Sequence, residues 1–136
     1  MSAIILPEVT TEVQRFFEAF ATAFSEFDGA LIARRYAVPY LALNAEGVLQ
    51  SFGTQAHIAV YFQGYLDQYH QQGCRACRFK DLHVVPLGQR SALATITWEL
   101  LRSDCSIASS WRESYNLTRL NQELRIYTST DHVAPA

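Results

Sequence analysis

What most constrains this chain is the point at which its hydrophobic period changes. Before Gly73, apolar residues recur mainly at three- and four-residue steps; beyond it they largely alternate with polar ones. The first period is that of a helix with one buried stripe, the second that of a strand with one buried face. Helices followed by a run of strands indicate an α+β fold. At 136 residues the chain has the size of one domain, with enough length to bury a core, so residues 1–136 are read as a single domain.

The elements follow from pattern and punctuation. Val13, Phe16, Phe17, Phe20, Phe24 and Phe27 fall on one stripe, which predicts an amphipathic helix over about 8–27. Asp28-Gly29 breaks it, and Asp28 can cap a short second helix over about 30–36. Pro39 stops helix and opens extended chain, so residues 40–43 and 48–52 read as a hairpin around Asn44-Ala45-Glu46-Gly47. Thr54 is the expected N-cap of a third helix with the stripe Ile58, Tyr61, Phe62, Tyr65, Leu66 and Tyr69, closed by Gly73. Four long strands follow, over about 75–85, 91–102, 107–120 and 123–132. The first of them has Phe79 on one parity and Leu82 and Val84 on the other, so it requires a bulge whose place the pattern does not fix.

Composition narrows function. The net charge is -2 with interspersed signs and no basic stripe, which argues against nucleic acid as partner. The apolar run Ala3-Ile4-Ile5-Leu6 ends at Pro7, too short for a signal or a membrane span, so the expected compartment is the cytoplasm. Cys74, Cys77 and Cys105 are an odd set and read as free thiols. Cys74 and Cys77 sit at a strand start, where strict alternation points them to opposite faces, and the chain shows no metal-ligand or phosphate-loop motif; no metal or cofactor is expected. Eight Phe, seven Tyr and two Trp exceed what a small core needs and favour a ring-lined cavity.

Hairpin register predicts which side chains point into it. Pairing Arg102 with Ile107 sets Trp98 opposite Trp111, Ile96 opposite Glu113 and Ala94 opposite Tyr115. Pairing Leu120 with Glu123 sets Tyr115 opposite Thr128, Glu113 opposite Thr130 and Trp111 opposite His132. The alternate row, Arg112, Ser114, Asn116 and Thr118, is polar and belongs outside. Trp98, Trp111, Tyr115, Thr128 and Thr130 are therefore candidate ligand contacts. Glu113 with His132 is the candidate catalytic pair, and a one-residue slip in the last strand replaces His132 by Asp131.

The order of elements resembles the nuclear transport factor 2-like superfamily, with its cystatin-like cone. Local marks are Val13-Gln14-Arg15-Phe16, Phe27-Asp28-Gly29, Gly53-Thr54, the run from Ala94 to Leu100, and Trp111-Arg112-Glu113-Ser114-Tyr115. The resemblance implies a curved antiparallel sheet packed on three helices, with Tyr36 and Tyr40 near the pocket mouth as ligand contacts. It also implies a homodimer through the outer sheet face. The ketosteroid-isomerase-like branch uses a Tyr in the first helix and an Asp near the end of the first strand. The nearest positions here are Phe16 or Phe17, and Leu43 or Asn44, so isomerase chemistry of that kind is not expected. Two functions stand open: a small-molecule pocket with cofactor-independent lyase, isomerase or hydrolase activity, or a non-catalytic dimerisation or protein-binding module.

Overall fold

The computed structural model describes residues 8–134. The elements run α1 (Val9–Phe24), α2 (Gly29–Ala33), β1 (Tyr36–Leu43), β2 (Leu49–Phe52), α3 (Gln55–Gln71), β3 (Cys74–Leu87), β4 (Ser91–Arg102), β5 (Ile107–Leu120) and β6 (Glu123–Asp131). The strands form one curved, six-stranded sheet in the order β2-β1-β6-β5-β4-β3. The α+β cone on three helices is thus present, with one difference from expectation. The sheet is mixed, because β1 runs parallel to β6. β1 and β2 form an antiparallel hairpin, but no hairpin joins β1 to its other neighbour β6, so a tight turn does not force that pair to be antiparallel.

α1 buries the expected stripe: Val9, Val13, Phe16, Phe17, Phe20 and Phe24. Phe17 sits at the centre of the core, its ring 5.1 Å from Tyr115 and 6.0 Å from Trp98. Each such buried side chain contributes about 2 kcal/mol of apolar burial. Glu12 of α1 pairs with Arg119 of β5, and Arg119 also donates to the Gln89 carbonyl at 3.1 Å. The helix ends at Phe24, three residues early, and Phe27 takes a left-handed φ of 52°.

Both expected caps form. The Asp28 carboxylate accepts from the Ala30 N–H at 2.9 Å, and the Thr54 hydroxyl from the His57 N–H at 3.1 Å. α2 stops at Ala33 because the chain turns into β1: the Ile126 N–H of β6 bonds the Arg35 carbonyl at 2.9 Å. Pro39 lies inside β1, after a cis Val38–Pro39 bond. It falls between Tyr36 and Leu41, where the β1–β6 ladder is interrupted and no N–H is required of it. Gly29 lies tight against α3: a Cβ there would stand 2.4 Å from the Ala59 carbonyl oxygen and 2.9 Å from the Gln63 nitrogen. The Gln63 amide accepts from Gly29 N–H at 2.7 Å and donates to the Phe27 carbonyl at 3.1 Å.

The β3 bulge lies between Lys80 and His83, with Asp81 at a left-handed φ of 54°. It turns Phe79, Leu82 and Val84 to the helix side and leaves Arg78, Lys80, Asp81 and His83 exposed. A second irregularity, between Cys74 and Ala76, offsets the alternation at the strand start. Cys74 and Cys77 therefore do not point to opposite faces: Cys74 is buried and Cys77 turns to the cavity described below.

Candidate functional site

The inner row of the sheet is built by alternation. On β4 it is Ala92, Ala94, Ile96, Trp98 and Leu100, all buried. On β5 it is Trp111, Glu113, Tyr115 and Leu117, with Trp98 opposite Trp111, Ile96 opposite Glu113 and Ala94 opposite Tyr115, as the sequence predicts; at the turn itself an irregularity sets Ile107 opposite Leu101 rather than Arg102. On β6 the expected pairing holds only near the turn. Leu120 faces Glu123 and Leu117 faces Ile126; then Tyr127 is bulged out, and Asn116 faces Thr128. Every later residue is moved by one place.

That bulge decides the site. Asp131, not His132 or Thr130, stands opposite Glu113, and Ser129, not Thr128, stands opposite Tyr115. Thr128, Thr130 and His132 are corrected from inner to outer face. Thr128 donates to the Asn116 amide oxygen at 2.8 Å, Thr130 is exposed, and the His132 Nε2 meets the Ser114 hydroxyl at 2.7 Å.

Glu113 and Asp131 lie at one cavity of about 190 Å³. Trp98, Trp111 and Tyr115 line it from the sheet, and Tyr36 and Tyr40 from β1. Tyr61, Tyr65 and Tyr69 of α3 close its other side, whereas their fourfold spacing in the sequence reads as a core stripe rather than as ligand contacts. Ile58 and Leu66 are the buried residues of α3; Tyr61 and Tyr69 are half-buried against Phe52 and Phe24, and Tyr65 is exposed. Phe20 and Phe24 of α1, Ser129, Asn44 and Cys77 also line the cavity and were not foreseen there.

Hydrogen bonds fix the polar groups. Trp111 Nε1 donates to Glu113 Oε1 at 2.8 Å, Trp98 Nε1 donates to the Tyr115 hydroxyl at 2.7 Å, and the Tyr40 hydroxyl and Ser129 Oγ are 2.5 Å apart. Burial pushes the Glu113 carboxyl up to about 8, and the neighbouring Asp131 charge adds to the rise; the Trp111 and Tyr115 donors offset part of it. Asp131 is also raised, chiefly by burial, while the hydrogen bond from Glu113 and the His132 charge hold it down. At neutral pH the two carboxyls therefore share one proton and one negative charge, with the proton on Glu113. Burial raises the hydroxyls of Tyr36, Tyr40, Tyr61, Tyr69 and Tyr115, so all stand as neutral phenols. Burial likewise pushes the Cys77 thiol up to about 12, which leaves it protonated and a poor nucleophile.

Among the described residues, no three His, Cys, Asp or Glu side chains converge as a metal site. No helix among them is long and apolar enough to cross a membrane.

A family model described as NTF2-like protein (DUF6841) matches residues 11–134. Similar solved structures include Aln2 from a Streptomyces species, 12% identical, with a TM-score of 0.76 over 96% of this chain and 94% of that one. Another is an NTF2-like protein with a cystatin-like fold from Novosphingobium aromaticivorans, 13% identical, TM-score 0.74, covering 93% and 82%. A third, from Catenulispora acidiphila, was solved in complex with S-DNPA; it is 14% identical, TM-score 0.70, covering 90% and 92%. At these identities the likeness is one of fold. No curated protein matches the chain.

Proposed function

The chain belongs to the family described as NTF2-like protein (DUF6841), and on that premise we propose that its aromatic cavity binds a small, largely apolar ring compound on which Glu113 and Asp131 act as acid and base. One observation carries the reading: two carboxyls of unequal environment face each other across β5 and β6 inside a ring-lined cavity. Asp131, the more exposed of the two, takes a proton from the substrate. Glu113, held protonated, delivers one to it. The pair thus ends each turnover with the same number of protons, the requirement for an isomerisation or an elimination run by side chains alone. The neutral tyrosines can donate to a carbonyl or hydroxyl oxygen as charge develops there. The complex of the Catenulispora acidiphila protein with S-DNPA supports a ligand-binding role for this cone.

The test is native mass spectrometry of freshly purified protein before and after denaturation. A retained small molecule that is lost on denaturation, and is not retained by Trp98→Ala, is the expected result. A wild-type protein that stays empty, also after incubation with a library of single-ring compounds, overturns the reading in favour of a non-catalytic module. The same spectra report whether the chain pairs as the expected homodimer.

A further inference from the structure

The charge and the hydrogen-bond state of the cavity restrict its ligand further. Resting on the pocket reading above, we infer that the ligand is a small organic cation, an ammonium carried by or attached to a single ring, and not a carboxylate or phosphate.

Among the described residues, the cavity lining contains two carboxyl groups and no Lys, Arg or His. The cations next in sequence to the two carboxyls, His132 beside Asp131 and Arg112 beside Glu113, face away. His132 meets Ser114 on the outer face, and Arg112 donates to the Thr97 hydroxyl at 3.0 Å and to the Asp81 carbonyl at 3.2 Å. An anion entering the cavity would therefore meet one shared negative charge and no counter-charge. Several neutral donors are engaged as well: both indole N–H groups and the Tyr40–Ser129 pair already have partners within the wall.

A cation meets the opposite situation. Asp131 offers a half-buried carboxylate, and Glu46 in the β1–β2 turn adds negative potential to it. The rings of Tyr61, Tyr65, Tyr69 and Trp111 follow one another with centroids 5.1, 6.0 and 6.3 Å apart. A wall of electron-rich rings beside one carboxylate is the chemistry that recognises ammonium groups. Size agrees: a cavity of about 150 Å³ is enough to take benzene, so about 190 Å³ takes one ring with a short arm.

Affinity should also depend on pH. The groups that act on Asp131 are Glu113 from β5, Glu46 from the turn and His132 from β6, with Tyr36 and Tyr40 of β1 and Tyr61 and Tyr69 of α3 around it. The tyrosines stay neutral. As pH falls, Asp131 gains its proton and the cavity loses its charge.

The experiment is a tryptophan-fluorescence titration at neutral pH with three probes of one shape: benzylammonium, benzyl alcohol and benzoate. Benzylammonium is expected to bind at least about tenfold more tightly than benzyl alcohol, and benzoate most weakly. Asp131→Asn should reduce benzylammonium to the level of the alcohol and leave the alcohol unchanged. Tyr65→Leu, at a half-exposed ring, should narrow the same gap without touching the carboxyls. If the alcohol or benzoate binds as tightly as benzylammonium, the inference falls while the pocket reading stands. If none of the three binds, both fall.

Discussion

The hairpins β4–β5 and β5–β6 share a strand and a face, yet their registers have different origins. Along β4–β5 the inner row reads Ala92, Ala94, Ile96, Trp98, Leu100 against Leu117, Tyr115, Glu113, Trp111. Shifting that ladder by one place would send at least five apolar side chains to solvent, so hydrophobic burial holds it. Along β5–β6 the same force acts only as far as Ile126. The rest of β6 is Tyr127-Thr128-Ser129-Thr130-Asp131, which offers no apolar alternation to defend. The bulge sits where that alternation ends, and it brings Asp131 to Glu113. The half of the hairpin that burial controls makes the core; the half that it leaves free places Asp131, the base proposed above, beside Glu113.

Substitutions can break that contrast. The largest expected effect lies in the burial-controlled half: Leu117→Ala, at a fully buried position, should cost about 2–5 kcal/mol in urea unfolding. Next is Glu113→Gln. A carboxyl whose folded pKa is raised from 4.5 to about 8 favours the folded state below 4.5, and that advantage is lost as pH rises through about 8. Wild-type stability should therefore decline with pH across that window, and Glu113→Gln should flatten the decline; equal slopes for the two proteins would show that Glu113 is not held protonated. Asp131→Asn should change stability at neutral pH by about 1 kcal/mol or less, while moving the decline of the wild type to lower pH, because a like charge beside Glu113 is removed. The smallest effect is expected on the outer face of the same strand end. Thr130→Val and His132→Ala should each stay within about 0.5 kcal/mol and leave ligand retention intact.

The same contrast explains what the sequence made legible. Trp98, Trp111, Glu113 and Tyr115 could be placed because apolar alternation on two strands agrees about one inner face. Asp131 was reachable only as the alternative to His132, since a bulge leaves no mark in polar sequence. Thr128 and Thr130 read as inner for the same reason. The bulge at Asp81 was required by the mismatched parity of Phe79 and Leu82 but not located by it. Tyr36 reads as a helix end but opens β1, because pairing with β6 overrides the local helical signal. The α3 tyrosines were visible as a stripe, but a stripe does not say whether it meets a protein core or an empty space.

The close approach of Gly29 to α3 has a mechanical consequence. Backbone meets backbone there, and Gln63 ties that side of α3 to both Gly29 and Phe27. On a helix, Tyr61 and Tyr65 project roughly opposite to Gln63. α3 is thus pinned along one edge and carries its rings on the other. Ile58 and Leu66, both buried, seat the helix on the core as well. The width of the cavity between the α3 rings and the sheet is therefore set by a backbone contact on the far side of the helix, where any side chain larger than hydrogen at position 29 would push α3 out of place.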